Sequence, residues 1–329
     1  MDLVFDIASS VEFWRKRYPL GRAPQCPSLR LPQQCAHTKA DVWSLVPEHE
    51  VSSLAYYGKL HVLVFDAAEK RESQTHKTHV WSGPLPEGAF YELLPNIFIE
   101  SPEFMFLQAA SILDFETLIA FGDELCGYYS FDEREERGFR KRSTPLTSAE
   151  KVLQFLLKAD GCKGALTARK ALKYVVDHSA SPMETLDEMT MCLPCRYGGY
   201  GLPTATMNQK VTLTSRAARI ANRNECFLDM GYLEWNLDVE HHGKYDHSDE
   251  NEKASDRARV NGLKEMGIEV VELTKDQVNE LFAYEYIIER IARLLHKRIK
   301  TDCKGATPAR LKLRKALFEW NASSGRIRQ

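Results

Sequence analysis

The stretch from Glu225 to Glu252 holds nine acidic residues against a single basic one, Lys244, and it also contains His241, His242 and His247. Carboxylates separated by a short turn are what a hard divalent cation takes as ligands. Mg2+ in particular prefers oxygen donors and keeps water and phosphate in its remaining positions. Asp229 and Glu240 are the pair best spaced for this. If 226–232 and 236–242 are adjacent antiparallel strands, the two carboxylates converge on one cation, with the backbone carbonyl of His241 as a further donor. Strand alternation puts Glu240 and His242 on one face and His241 on the other. The same composition also describes a solvated acidic hairpin with surface histidines, and composition alone leaves both readings open.

Other residues carry weaker signals. Asp256 and Arg259 are spaced i, i+3 on a helix, which suits either a surface ion pair or an arginine oriented toward phosphate. Glu184 follows Ser181-Pro182-Met183, so a capping box already accounts for it. Cys192 and Cys195 have the spacing of a zinc half-site, yet no second pair completes one, and two core thiols account for them. From Lys297 to Gln329 there are ten Lys or Arg against Asp302 and Glu319. That is either a solvated C-terminus or an electrostatic footprint for a phosphate backbone, with Arg310, Lys312, Arg314 and Lys315 at its centre and Phe318 and Trp320 offering stacking surface.

The elements that must position these residues are legible in outline. Residues 268–273 form an apolar-rich third strand, and the span from Ala254 to Met266 reads as a helix crossing from the second strand to the third. A long amphipathic helix is expected over Lys275 to Arg298. Upstream, Thr147-Ser148-Ala149-Glu150 opens a helix, another runs from about Ala165 to His178, and Ser181-Pro182 opens a third. Gly198-Gly199-Tyr200-Gly201 is a turn. The first 130 residues look mixed: a helix from Val11 to Tyr18, β-like runs at Leu60–Phe65, Thr78–Trp81 and Asn96–Ile99, and a helix opened by Ser101-Pro102-Glu103. The charge run at 132–142 reads as a linker. The expected organisation is thus a mixed α+β domain over 1–130, a charged linker at 131–146, an α/β domain over 147–300 and a basic tail at 301–329.

One combination of residues changes the balance between the two readings of the acidic hairpin. Asp229, then Glu240-x-His242-Gly243, His247, Asp256-x-x-Arg259-x-x-x-Leu263 and Gly267-Ile268-Glu269-Val270-Val271 resemble the very-short-patch-repair-like branch of the PD-(D/E)xK nuclease superfamily. The likeness covers about 175–300 and includes Ser181-Pro182-Met183-Glu184 and the Leu193-Pro194 to Gly201 stretch. It implies a restriction-endonuclease-like three-layer core, a mixed central sheet flanked by helices. It implies Mg2+ or Mn2+ held by Asp229 and Glu240, a contribution from Glu184, His247 as a catalytic residue and Arg259 on phosphate with Asp256 orienting it. The sequence departs from the branch at His242, where Lys or Asp is usual. There a histidine acts as general base or marks lost activity. In the N-terminal half, the β-run, Val80-Trp81 and the helix opened by Ser101-Pro102-Glu103 resemble the C-terminal part of abortive-infection antitoxin proteins, which implies a protein partner for this domain. The implied function is DNA phosphodiester hydrolysis in phage defence or repair. The alternative is a nucleic-acid-binding regulator of toxin–antitoxin or abortive-infection type that keeps the nuclease core without turnover.

Composition sets the outer bounds. With 43% hydrophobic and 27% charged residues the 329-residue chain buries a sizeable core, which excludes global disorder. A net charge of -2 leaves the nucleic-acid question to the distribution of charge. No apolar run reaches a membrane span, and Asp2, Asp6 and Glu12 stand where a secretory signal carries basic residues, so a cytoplasmic protein without a membrane partner is expected. The cysteines are scattered singly and are expected to be reduced.

Overall fold

The computed structural model describes residues 1–16, 27–28, 30–45, 54–55, 58–242, 250–299 and 306–327. The first half is built from short strands and buried helices. β1 (Leu3–Val4) leads into α1 (Ile7–Arg15), followed by α2 (Lys39–Leu45), β2 (Leu60–Val64), β3 (His76–Val80), β4 (Phe90–Leu94) and β5 (Ile97–Glu100). β1 pairs in parallel with β5, which pairs antiparallel with β4, and β2 and β3 form a separate parallel pair. Helices α3 (Pro102–Ala109) and α4 (Phe115–Cys126) follow. Ser101 caps α3 by accepting from the Phe104 amide and Asp114 caps α4 by accepting from the Thr117 amide, so each start is written in the sequence. Of the helix expected over Val11 to Tyr18, the described part begins earlier, at Ile7, and residues 17 and 18 lie outside the described set.

The charge run expected to be a linker is the turn of a hairpin. β6 (Tyr129–Phe131) and β7 (Phe139–Lys141) pair antiparallel around it, because an aromatic at each inner end packs while the charges stay at the tip. One hydrophobic core continues from Leu3 to Ile327 across this point. Arg15 of α1 ties both ends of the chain together. It pairs with Glu124 of α4 at 2.7 Å and donates to the carbonyls of Ser324 and Gly325.

The second half adds α5 (Ala149–Leu157), α6 (Ala165–Leu172), α7 (Pro182–Cys192), β8 (Thr206–Thr212), α8 (Ser215–Ala221), β9 (Glu225–Tyr232), β10 (Leu237–His242), α9 (Glu250–Glu265) and β11 (Glu269–Thr274). The cap of α5 is Ser148, one residue later than expected, and α6 stops at Leu172. The sheet order is β11-β10-β9-β8, antiparallel except for the parallel β10–β11 pair, and α9 supplies the crossover that a parallel pair requires. β8 was not expected from the sequence. Its burial alternates only at intervals and Asn208 interrupts it at φ +46, which masks the two-residue period. A smaller apolar cluster of Val211, Leu213, Ala217, Ala221, Cys226, Leu228, Leu263 and Ile268 joins α8 and α9 to this sheet.

The long helix expected over Lys275 to Arg298 is divided into α10 (Lys275–Asn279) and α11 (Leu281–Leu294). Glu280 makes the break: its carboxylate accepts from the amides of Phe282 and Ala283 and starts the second helix. The basic tail is largely α12 (Ala306–Ala322), and Leu313, Leu317 and Trp320 bury its inner face. Gly198, at φ +93, lets the preceding turn approach α12 closely, since a Cβ there would overlap Ala309. The chain is therefore mixed α/β, with twelve helices among the described residues.

Candidate active site at the open end of the central sheet

β9 and β10 are in register through Leu237–Tyr232, Asp238–Gly231 and Val239–Met230. Beyond Val239 the ladder opens, and the next two residues in line are Asp229 and Glu240. The Asp229 carboxylate accepts the His241 amide at 3.3 Å, so a side chain takes a donor that the ladder has released. Consecutive residues of β10 then turn to opposite faces of the sheet. Glu240 meets Arg259 of α9, while His241 places Nδ1 2.7 Å from Asp187 of α7. The two helices thus flank the sheet on opposite sides, and the expected alternation between Glu240 and His241 is present.

Each face has its own network. On the α9 side, both terminal nitrogens of Arg259 donate to the two oxygens of Glu240, and Arg259 also donates to Asp256 at 2.9 Å. Glu240 is buried, and Asp238, two residues before it, is fully buried. No hydrogen-bond donor reaches either oxygen of Asp238. Burial pushes its pKa well up, and the charge of Glu240 beside it and of Asp229 beyond add to the effect.

On the α7 side, Asp187 accepts from the Tyr284 hydroxyl at 3.3 Å and partners His241. Burial works against a charged His241 ring, but the hydrogen bond and charge of Asp187, with Glu184 and Asp229 behind it, raise its pKa overall. Glu184 is buried at the start of the same helix. Ser181 caps the helix as the sequence suggests, accepting from the Glu184 amide at 3.1 Å. The Glu184 carboxylate, however, reaches past the cap residue to accept from the Ala180 amide at 2.8 Å and from Asn208 of β8 at 3.0 Å. Its pKa is pushed up to about 8, first by burial and then by the charge of Asp229.

Asp229 is therefore the electrostatic link between the two sides. It is half-buried, it raises Glu184 on one side and it raises Asp238 on the other. These carboxylates are brought into one neighbourhood from α7, β9 and β10. Among the described residues, Glu184, Asp229 and Glu240 do not form a trio whose ligand atoms all lie within 4.8 Å of one another. Asp229, Asp238 and Glu240 do not form such a trio either. They are the side chains from which a hard divalent cation would have to draw its ligands at this fork.

Other expected residues are placed as follows. Asp256 does orient Arg259, but the guanidinium is spent on Glu240 and Asp256 instead of facing outward toward phosphate. His242 ends β10, and only its backbone is described; His247 lies outside the described residues. Of the four tail residues expected on nucleic acid, two point inward. Arg310 stacks on Tyr200 with 4.2 Å between guanidinium and ring centre, and Arg314 donates to the Val278 carbonyl at 2.5 Å and lies over Tyr284. Their aliphatic stems pack as α12 docks, which charge counting along a sequence does not register. Phe318 is half-buried, and Trp320, expected as stacking surface, is buried against Phe121 and Phe131. Lys312 and Lys315 do face solvent; Lys312 pairs with Glu116 at 2.8 Å.

Sequence reasoning passed over Asp238, Asp187 and Tyr284. Asp238 was within reach, because it shares the face of Glu240 at strand spacing. Asp187 and Tyr284 had no local signal, since only the packed fold brings them to His241. Comparison with family models, with curated proteins and with solved structures finds no match for this chain.

Proposed function

We propose that the chain is a metal-dependent phosphodiesterase acting on DNA, with its site at the fork between β9 and β10. The observation that carries this reading is the placement of half-buried Asp229 between Glu184 and Asp238, with Glu240 next to it, at a strand end where the sheet opens. The element order supports it as well. The hairpin of β9 and β10, crossover helix α9 and parallel β11 follow the order of hairpin, Asp-x-x-Arg helix and Gly-apolar strand in the resemblance to the PD-(D/E)xK superfamily.

A bound Mg2+ or Mn2+ lowers the pKa of a coordinated water and offsets charge on the scissile phosphate. Asp229 contributes the accessible carboxylate, held in place by the His241 amide. Arg259 fixes the orientation of Glu240, and Asp256 fixes Arg259 in turn. Glu184, its pKa raised to about 8, would contribute a carboxyl beside the cation, held by the Ala180 amide and by Asn208. His242, which follows the pair at the end of β10, is the residue from which the resemblance leads one to expect a general base.

A second reading has a specific observation in its favour. The bidentate bond between Arg259 and Glu240 occupies both oxygens of a carboxylate that catalysis would need, and His242 stands where Lys or Asp is usual. A nucleic-acid-binding regulator that keeps the core without turnover fits those two features. The deciding experiment incubates folded protein with plasmid, single-stranded DNA and RNA, with Mg2+, with Mn2+ and with chelator, beside identically purified Glu240→Gln. Metal-dependent cutting of DNA by wild type and silence of Glu240→Gln support the enzyme. Binding without cutting supports the regulator.

A further inference from the structure

Asp6, His61 and His79 come from three separate elements and meet inside the first half of the chain. Their ligand atoms all lie within 4.8 Å of one another, and among the described residues no other group of three or more His, Cys, Asp or Glu side chains does so. The backbone sets this up. Leu63 of β2 is in register with His79 of β3, and His61 with Lys77, so the two histidines sit diagonally on one face of the parallel pair. The Asp6 amide donates to the His61 carbonyl at 3.0 Å, which brings the start of α1 to the same place.

Asp6 is the N-cap of α1, where an aspartate ordinarily accepts from the amides of the first turn, but its side chain makes no such bond. Its Oδ2 lies instead 3.9 Å from His79 Nε2. That Nε2 is 2.9 Å from His61 Nδ1, with the rings nearly parallel at 14°. Asp6 and His61 are both more than nine-tenths buried, and His79 is the member that reaches solvent, with 19% of its side chain exposed.

We infer that Asp6, His61 and His79 form a binding site for a borderline divalent cation of the zinc class, with two imidazole nitrogens and one carboxylate oxygen as protein ligands and a solvent position on the His79 side. Nitrogen donors select zinc over magnesium, and three protein ligands with one open position is a known zinc arrangement. Two nitrogens at about 2.0–2.1 Å from a tetrahedral ion lie about 3.3 Å apart, so the ring pair opens by a few tenths of an ångström, each ring turns to aim its lone pair at the ion instead of at its neighbour, and Asp6 closes in from 3.9 Å. No proton need be lost. In the close pair one ring donates and the other accepts, and binding requires the donating ring to move its proton to its other nitrogen.

The test uses the full chain stripped with chelator and held in excess Mg2+, which fills oxygen-donor sites. Zinc is titrated by calorimetry, and Co2+ supplies the visible bands of a tetrahedral site. Wild type should take up a zinc equivalent that Mg2+ does not displace. Asp6→Asn and His79→Gln should each lose it while keeping near-UV circular dichroism and DNA cleavage or binding unchanged. Zinc uptake as tight in both variants as in wild type overturns the site, as does no uptake by wild type. Should either variant fail to fold, long-range proton–nitrogen spectra of the wild-type histidines decide. Zinc must shift Nδ1 of His61 and Nε2 of His79, and shifts confined to other histidines overturn the assignment.

Discussion

Asp229, Asp238 and Glu240 belong to one strand pair, with Glu184 added by the adjacent helix, and all four offer oxygen. Asp6, His61 and His79 offer two nitrogens and one oxygen, and lie on three elements scattered through the first eighty residues. The first cluster is open on one side and overcharged: Glu184 and Asp238 are both raised by burial and by their acidic neighbours. The second is tucked away, and its histidines already satisfy each other at 2.9 Å. In the proposed reading, a hard cation would bind at the one through oxygen alone, and a softer ion at the other through nitrogens that strand register brings together. A cluster made within one hairpin can be read along a sequence, while one made by strand pairing cannot.

The sharpest break of this contrast is Asp229→Asn. Removing the linking carboxylate should reduce metal-dependent DNA cleavage to background while leaving zinc uptake at the Asp6 cluster intact, as a cleavage assay and a zinc titration on the same preparation would show. Next in size is Arg259→Met. It leaves Glu240 buried without its cation, and breaking a buried pair from one side costs about 3–5 kcal/mol. Urea unfolding should report that loss, and Mg2+ should restore part of it, since a ligand that binds only the folded state stabilises that state. Asp256→Asn frees only the supporting end of the same chain of contacts. It should weaken metal affinity or activity by roughly 10–100-fold, without the stability loss.

A pH test separates the oxygen cluster from the rest of the core. Glu184 has a folded pKa of about 8 against an ordinary value near 4.5, so the folded state holds the extra proton between those values. Stability from this group is therefore present at low pH and falls as pH rises through that window, by at most about 1.4 kcal/mol per unit. Glu188, raised to about 7 by burial, slopes the same way, so the difference between wild type and Glu184→Gln isolates Glu184. Melting temperature against pH should decline less steeply in Glu184→Gln, and Mg2+ should flatten the wild-type curve. An unchanged slope in the variant removes Glu184 from the site.

The smallest effect belongs to α12. Lys312 and Lys315 are exposed, and the Lys312–Glu116 pair at the surface is worth about 0.2–1 kcal/mol at most. Changing both to Ala should leave the fold intact. If α12 touches DNA, the log–log salt slope of binding should drop by roughly one per lost phosphate contact. Arg310→Ala and Arg314→Ala are different in kind, because those side chains pack on Tyr200 and Tyr284 and their loss destabilises the core.

The residues themselves explain what was readable. Strands β9, β10 and β11 and crossover helix α9 announce themselves through apolar runs, alternation and glycine punctuation. Asp229 and Glu240 stand out because a hairpin brings them together within one window. β8 was hidden by the left-handed Asn208, and the division of α10 from α11 depends on Glu280 acting as a cap in a segment whose periodicity looks continuous. The tail misled because a row of basic residues reads the same whether it faces solvent or lays its stems against aromatic rings. The Asp6 cluster had no local signature: its aspartate looks like a helix cap and its histidines look like strand residues until β2 and β3 are paired.

In the proposed reading, Asp229 and its neighbours hold a cation whose bound water cuts DNA. Plasmid DNA incubated with wild-type protein and Mn2+, beside Asp229→Asn purified in the same way and shown to be folded, tests it most directly. Nicked and linear products are expected from wild type, none with chelator, and none from the variant. Intact plasmid with folded wild type in both Mg2+ and Mn2+, or equal cutting by wild type and Asp229→Asn, would contradict it.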